Sequence, residues 1–489
     1  MKINKLTYII LGGVLLLVSP SCKKYLDQTP DNRAEINNVE KLAQLVATAY
    51  PSRDYLTFTE AASDNSEDKG VGIGTTADAI DLPYAWQDNI GDGTNTPTAY
   101  WNACYEAIAS ANQALEAIEK ENLGSEALPY KGEALVCRAY AHYMLANIFA
   151  KSYEIGGANT APGVPYVITP ETKVIQQYSR STVAATYENI KKDFEEGVKL
   201  LSASAYTVPK YHFTPAAARA FGARLYLSLG EWQKVIDNAT LTVSGNDFVN
   251  NMRPVSTTIR LWTGEEHRTN FMGSGQKYNL LLINAYSTYA RFNSPRHGYG
   301  VNLVKMFQGA FNVTGRALDN KILSFGVPNY TTYKFKENFF YTTPSTGFPY
   351  LTFAALTVDE ALMNRAEAYA ELGQTNLALK DLTDFYSVRI SGFNPNLDAI
   401  TQAKINTFYP TITVPKDALI RTILDAKKSQ FLQEGIRWFD LMRKKMTVVH
   451  NNYDANGLET FTELKPDNPR RLFQLPVEVK LSGIELNPR

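Results

Sequence analysis

The sequence predicts a mainly α-helical chain: a scaffold of helical pairs interrupted by one long irregular insertion of loops and short strands. Three observations carry this. Helical spacing of apolar residues recurs along most of the 489 residues, which is the signature of helices buried on one face. Three of those segments repeat one pattern, as Arg138-Ala139-Tyr140-Ala141-His142, as Ala223-Arg224-Leu225-Tyr226 with Leu229-Gly230, and as Arg365-Ala366-Glu367-Ala368-Tyr369 with Leu372-Gly373. Residues 244 to 356 lack the spacing and carry 20 aromatic side chains in 113 residues, about 18% against 12% for the whole chain.

The repeated pattern is tetratricopeptide-like. Alanine at the closest approach lets two helices pack, tyrosine one turn later fills the groove, and Leu-Gly ends the first helix on a residue that accepts positive φ. The second helix then starts at Glu231-Trp232 or at Gln374-Thr375-Asn376. The copies are not in tandem, so the expectation is a helical scaffold with large insertions and not a regular solenoid.

In chain order, Lys2 and Lys5 precede an uncharged run from Tyr8 to Val18, then Ser19, Pro20, Ser21 and Cys22. A basic head, a short apolar stretch and a small residue before the cut form an export signal over residues 1–21. A signal ending on cysteine predicts a lipoprotein whose first mature residue is lipidated Cys22. Residues 38 to 50 have helical spacing and stop at Pro51. Residues 61 to 98 are rich in Gly, Asp, Asn, Thr and Pro and predict a long surface loop. Helices follow at about 99 to 121, 126 to 153, 181 to 203, 214 to 229 and 231 to 244, and again at 357 to 372, 374 to 390 and 416 to 447. This divides the mature chain into regions 22–243, 244–356 and 357–489. Within the insertion, 279 to 285 and 330 to 335 are strand-like.

Charge narrows the function. With 49 basic and 49 acidic side chains the chain has no net field to attract nucleic acid or an anionic surface, and no nucleic-acid partner is expected. The sequence contains no Gly-x-Ser-x-Gly elbow, His-Glu-x-x-His or phosphate loop, and an enzyme is not expected. The five histidines have no metal spacing, so neither a metal nor another cofactor is expected. Asp64, Ser66 and Asp68 alternate as at the start of a calcium loop, but Lys69 and Thr75 occupy the positions of the Gly and the closing Glu, which predicts a solvated acidic loop. Cys104 and Cys137 lie in alanine-rich helical patterns and are expected to be buried thiols, with a bond between them left open.

Other motifs bear a family likeness. Tyr100-Trp101-Asn102 through Tyr105, Ile108, Ala111-Asn112 and Leu115, the run Phe431-Leu432-Gln433-Glu434-Gly435-Ile436-Arg437-Trp438-Phe439-Asp440-Leu441-Met442-Arg443, and the end Leu475-Pro476-Val477-Glu478 with Leu486-Asn487-Pro488 resemble the SusD/RagB family of outer-membrane nutrient-binding lipoproteins. The chain departs from the family's Glu-Arg-Arg-x-Glu before the long motif, having Ala426-Lys427-Lys428-Ser429-Gln430. On a continuous helix Arg437 would reach the carboxylate of Glu434 or Asp440, three residues away on either side. Trp438 and Leu441 would share a buried face, and Gly435 would let a neighbouring helix approach.

The resemblance implies a non-catalytic binder that takes an oligosaccharide or polysaccharide, or in some members a peptide, and hands it to a SusC-type TonB-dependent transporter while lipid-anchored in the outer membrane at the cell surface. A glycan site accounts for the aromatic loops, because sugar C–H faces stack on rings and polar side chains bond the hydroxyls. The candidate ligand residues are therefore Trp86 with Asp64 and Asn65, and Trp262, Tyr286, Tyr289, Arg291 and Tyr299. The competing expectations are a helical adaptor that binds only the transporter and, less favoured, a secreted glycosidase.

Overall fold

The computed structural model describes residues 36–173, 175–292 and 294–489; the export signal and Cys22 lie outside the described residues. The first block holds α1 (Val39–Val46), α2 (Leu56–Ala62), β1 (Glu67–Asp68), α3 (Asp78–Tyr84), α4 (Pro97–Lys120), α5 (Leu128–Phe149), α6 (Val183–Gly197), α7 (Pro215–Leu229) and α8 (Trp232–Thr240). The insertion contributes α9 (Gly264–Asn270), β2 (Asn279–Tyr286), β3 (His297–Gly298), α10 (Val301–Lys305), β4 (Leu323–Ser324), β5 (Tyr330–Thr331), β6 (Glu337–Tyr341) and β7 (Gly347–Thr357). The last block holds α11 (Val358–Glu371), α12 (Thr375–Ser387), α13 (Pro395–Asp398), α14 (Gln402–Phe408), α15 (Pro415–Gln430), α16 (Arg437–Arg443), β8 (Val448–Tyr453) and β9 (Glu459–Leu464).

The scaffold is mainly α. Helices α4 and α5, α5 and α6, α7 and α8, and α11 and α12 pack as neighbours, and α8 joins the two blocks by packing on α11. Their starts follow from local chemistry. Thr96, Thr182, Thr214 and Thr357 each cap a helix by accepting a backbone N–H with the side-chain oxygen, and Pro97 and Pro215 sit where no N–H is needed. The repeated Leu-Gly ends close alike. Gly230 and Gly373 have φ of 72° and 71°, and the following residue donates back to Tyr226 at 3.0 Å or to Tyr369 at 2.8 Å. One hydrophobic core runs from Leu42 to Ile484 and takes residues from every region, including Trp101, Tyr226 and the free thiols Cys104 and Cys137. Tyr299, Leu303 and Leu432 form a small satellite cluster.

Two expectations are corrected. Residues 61 to 98 are not one surface loop, since α2, β1 and α3 occupy part of the stretch and Ser66, Asp68 and Tyr84 are buried. The acidic start of this stretch is not solvated either. Asp68 receives Arg296 at 2.7 and 2.6 Å and the Tyr453 N–H at 2.8 Å, and Asp64 is held by Arg437. Long-range hydrogen bonds satisfy this segment where periodicity is absent.

The helix expected over 416 to 447 is two helices. Gln433 and Gly435 both have positive φ, at 65° and 70°, so the chain turns sharply between α15 and α16. Glu60 on α2 holds the turn by accepting the backbone N–H of Gln433 and of Gly435, the latter at 3.0 Å. The turn also reassigns the ion pairs. Arg437 does not meet Glu434 or Asp440; it forks onto Asp64 at 2.8 and 2.9 Å. Glu434 receives Arg253 twice at 2.8 Å and Lys334 at 2.7 Å, while Asp440 takes Lys427 and Arg443. Burial pushes the Glu434 carboxyl up, but the Arg253 and Lys334 charges outweigh it and hold it below its ordinary value. Trp438 and Leu441 are buried as expected.

A side chain at 435 has no room. A Cβ there would lie 2.5 Å from Thr59 Oγ1 and 3.0 Å from Leu56 Cα, on top of the cost of positive φ. Gly435→Ala is expected to cost at least about 2 kcal/mol, measured by denaturant unfolding; unchanged stability would mean that the turn is not required.

Glu60 gives a second expectation. Burial pushes its carboxyl up to about 7 from 4.5, so the folded state holds the proton more tightly than the unfolded chain. Its contribution is full below pH 4.5 and is lost as pH rises through 7. Glu60→Gln removes that loss, so stability of the variant relative to wild type should rise between pH 5 and 7.5 by on the order of 3 kcal/mol. Parallel stability curves across that window would refute the assignment.

Candidate ligand-binding face

The insertion builds an antiparallel sheet of order β2-β7-β6. Strand alternation divides its side chains. Ile283, Ala285, Leu351 and Phe353 point inward and are buried. Opposite them, the register aligns Asn284 with Thr352, Tyr286 and Asn338 with Tyr350, and Phe340 with Phe348. These residues form the outer face. Phe340 is 63% and Phe348 49% exposed, and Tyr286 and Tyr350 are half-buried.

Local contacts hold this face rigid. Tyr286 meets Phe348 edge-on with centroids 5.4 Å apart, and the Arg53 guanidinium lies 4.0 Å from the Tyr286 ring centroid. Burial lowers the Arg53 pKa, and its Nη1 has no hydrogen-bond partner among the described residues. Thr352 donates to Asn284 at 2.6 Å. Beyond β2 the chain is pinned by buried Asn95, which donates to Asp54 at 2.7 Å and to Ser287 at 2.8 Å and accepts from the Thr288 hydroxyl at 2.7 Å. At the hairpin tip Phe339 and Tyr341 pack with centroids 4.7 Å apart and remain exposed. Exposed rings beside amide and hydroxyl groups offer both stacking and hydrogen bonding in a shallow, wet site.

The residues singled out in the sequence fall in five places. Tyr286 is on the outer face, and Arg291 is at its edge, forked onto Glu337 at 2.6 and 3.1 Å. Asn65, Tyr289 and Tyr299 come together inside, lining with Glu60 a cavity of about 30 Å³, room for about two waters. The Asn65 Oδ1 and the Tyr299 hydroxyl are buried there without a hydrogen-bond partner among the described residues. Asp64 is taken up by Arg437 and by Lys428 at 3.1 Å.

Trp86 stacks on His450, which stacks on Tyr84, which stacks on His297, at 4.5, 4.1 and 4.1 Å. Its ring nitrogen donates to the Ala62 carbonyl at 3.0 Å. His450 bridges the Tyr84 and Ser63 carbonyls, each at 2.8 Å, and burial lowers its pKa. Trp262 is half-buried against the core, 6.1 Å from His267.

Sequence reasoning did not select Phe340, Phe348, Tyr350, Asn338 or Arg53. A signal for most of them was present: Glu337-Asn338-Phe339-Phe340-Tyr341 and Gly347-Phe348-Pro349-Tyr350-Leu351 flank a Pro-Ser-Thr turn, the pattern of a hairpin. Arg53 gave none, since it reaches the face only in the folded chain, by backbone pairing with Tyr286 and by its guanidinium over that ring.

Comparison with known proteins agrees with the helical architecture. Residues 24–227 match a family described as starch-binding and associating with the outer membrane, and residues 358–472 match the SusD family. SusD-like protein P38 of Formosa agariphila is 23% identical over 91% of this chain and 92% of its own. A solved SusD superfamily protein from Bacteroides vulgatus superimposes with a TM-score of 0.67 at 19% identity, over 92% of this chain and 99% of that one. A putative sugar binding protein of the same organism gives 0.68 at 19%, over 93% and 99%. A laminarin binding SusD-like protein gives 0.61 at 15%, over 92% and 98%.

Proposed function

The chain belongs to the SusD/RagB family, and from that premise we propose that it is a surface-exposed lipoprotein that binds oligosaccharide on the outer face of β2-β7-β6. It delivers that ligand to a SusC-type TonB-dependent outer-membrane transporter and performs no chemistry on it. Regions 22–243 and 357–489 act as scaffold, and 244–356 carries the ligand.

The observation that carries this reading is the exposed ladder of Phe340, Phe348, Tyr350 and Tyr286, bordered by Asn284, Asn338, Thr352 and Arg53. Exposed rings in a contiguous patch are costly to leave bare and mark interaction surfaces. A sugar satisfies both halves of this one: its C–H faces cover the rings and its hydroxyls meet the amides. Glu337, at the edge, is held by Arg291. The solved relatives described as laminarin binding and sugar binding support carbohydrate over peptide.

The membrane attachment proposed is the lipid on Cys22. The family's described association with the outer membrane supports it, and among the described residues no helix is long and apolar enough to cross a membrane. Two lipid chains hold a protein stably where one does not.

The double substitution of Phe340 and Phe348 by alanine is expected to weaken oligosaccharide binding about tenfold or more in calorimetric titration. Both rings are exposed, so the unfolding temperature should be nearly unchanged. Unaltered affinity in the folded variant would remove the ligand from this face. Cys22→Ala is expected to shift the protein from the membrane fraction to the soluble one, and retention on membranes would sink the anchor.

A further inference from the structure

A second cavity lies away from the sheet, between the segment after α10 and the helices α12, α14 and α15. It measures about 160 Å³. That is roughly five times the ~30 Å³ share of a liquid water and close to the ~150 Å³ of an apolar cavity that accepts benzene, so one six-membered ring fits. None of its lining residues belongs to the outer face of β2-β7-β6.

Its walls are mixed. Phe311, Tyr386, Phe408 and Tyr409 supply rings, and Arg421, Asp425 and Lys428 supply charge. The Asp425 Oδ2 accepts both the Tyr409 hydroxyl at 2.7 Å and the Arg421 Nε at 2.9 Å. Its Oδ1 is left as an acceptor, and the terminal nitrogens of Arg421 as donors, with no hydrogen-bond partner among the described residues. Lys428 reaches Asp64 at 3.1 Å while Arg437 occupies both oxygens of that carboxylate. Phe311, at 52% exposure, is presented to solvent at this cavity.

Arg421 and Asp425 are partly open to water at this cavity, and an apolar ring would displace that water without replacing its hydrogen bonds. An anionic ring would meet Arg421 but would press a carboxylate against Asp425. A neutral pyranose fits both demands. Adjacent hydroxyls donate to Asp425 Oδ1 and accept from Arg421, and the ring's C–H face lies on an aromatic wall. We propose that this cavity, open on one side to solvent, is a second binding site for a single neutral pyranose unit bearing vicinal hydroxyls. Its ligand class agrees with the proposed function, but the site stands on its own residues.

The test uses the purified chain with methyl glycosides of glucose, galactose and mannose, and with glucuronate, read by saturation-transfer NMR. At least one neutral glycoside should bind saturably. Affinity should fall about tenfold in Arg421→Met and also in Phe311→Ala, whose exposed ring can be truncated without unfolding, and should survive loss of Phe340 and Phe348. Absence of binding by all three glycosides, indifference to both cavity substitutions, or a preference for glucuronate would overturn the proposal. The two sites fail separately: glycoside binding lost only with Phe340 and Phe348 refutes the cavity, whereas oligosaccharide binding lost only with Arg421 refutes the sheet face.

Discussion

The structure depends on a buried set of charge pairs that meet at residues 434–443. Glu434 draws in Arg253 and Lys334 from the insertion. Arg437 reaches Asp64 in the first block, and Arg443 reaches Glu367 on α11. Asp440 lies between, bound by Lys427 and Arg443. Every ion in such a set gives up several kcal/mol of hydration, which the pairing recovers only when geometry is good. The bonds here are forked or multiple, so the cost is met, and a wrong alignment of any one segment would strand a charge. This set therefore specifies how three distant parts of the chain fit more than it adds to their stability.

That constraint explains what the sequence disclosed and what it hid. Helix starts and ends depend on neighbours in the chain, and so Thr-Pro caps and Leu-Gly ends were legible. The buried Trp438 and Leu441 were legible through spacing alone. The partner of Arg437 was not, because Asp64 stands 373 residues away and two nearer carboxylates competed for it. The break at Gln433–Gly435 was hidden for the same reason: a continuous helix is locally reasonable, and only the approach of α2, with Glu60 claiming two N–H groups, rules it out.

The aromatic surplus divides by the same physics. Tyr226, Trp101 and Tyr299 are buried packing. Trp86 sits in a column of four rings that joins α3 to β3 and β8, where its indole is engaged by protein. Of the residues chosen from the sequence, Tyr286 and Arg291 reach the outer face. The rings most exposed there, Phe340 and Phe348, belong to a hairpin whose outward direction is fixed by which strand flank packs on the core, and that is a tertiary fact.

The segment from Asp64 to Trp86 has a consequence for the order of events in time. Besides Arg296 and His297 in the insertion, its partners include Arg437, His450, Asn451 and Tyr453, so contacts made near the start of the chain close loops as long as 385 residues. Loops of that length are closed late and make folding slow. The first block can pair its helices as it emerges, and β1 closes on β3 and Arg296 once the insertion is made, but the bonds to Arg437 and to β8 wait for the last block. The N-terminal portion thus waits unfinished for the C-terminal portion, and a chain cut short before residue 437 leaves Asp64 with Lys428 but without the forked Arg437 pair.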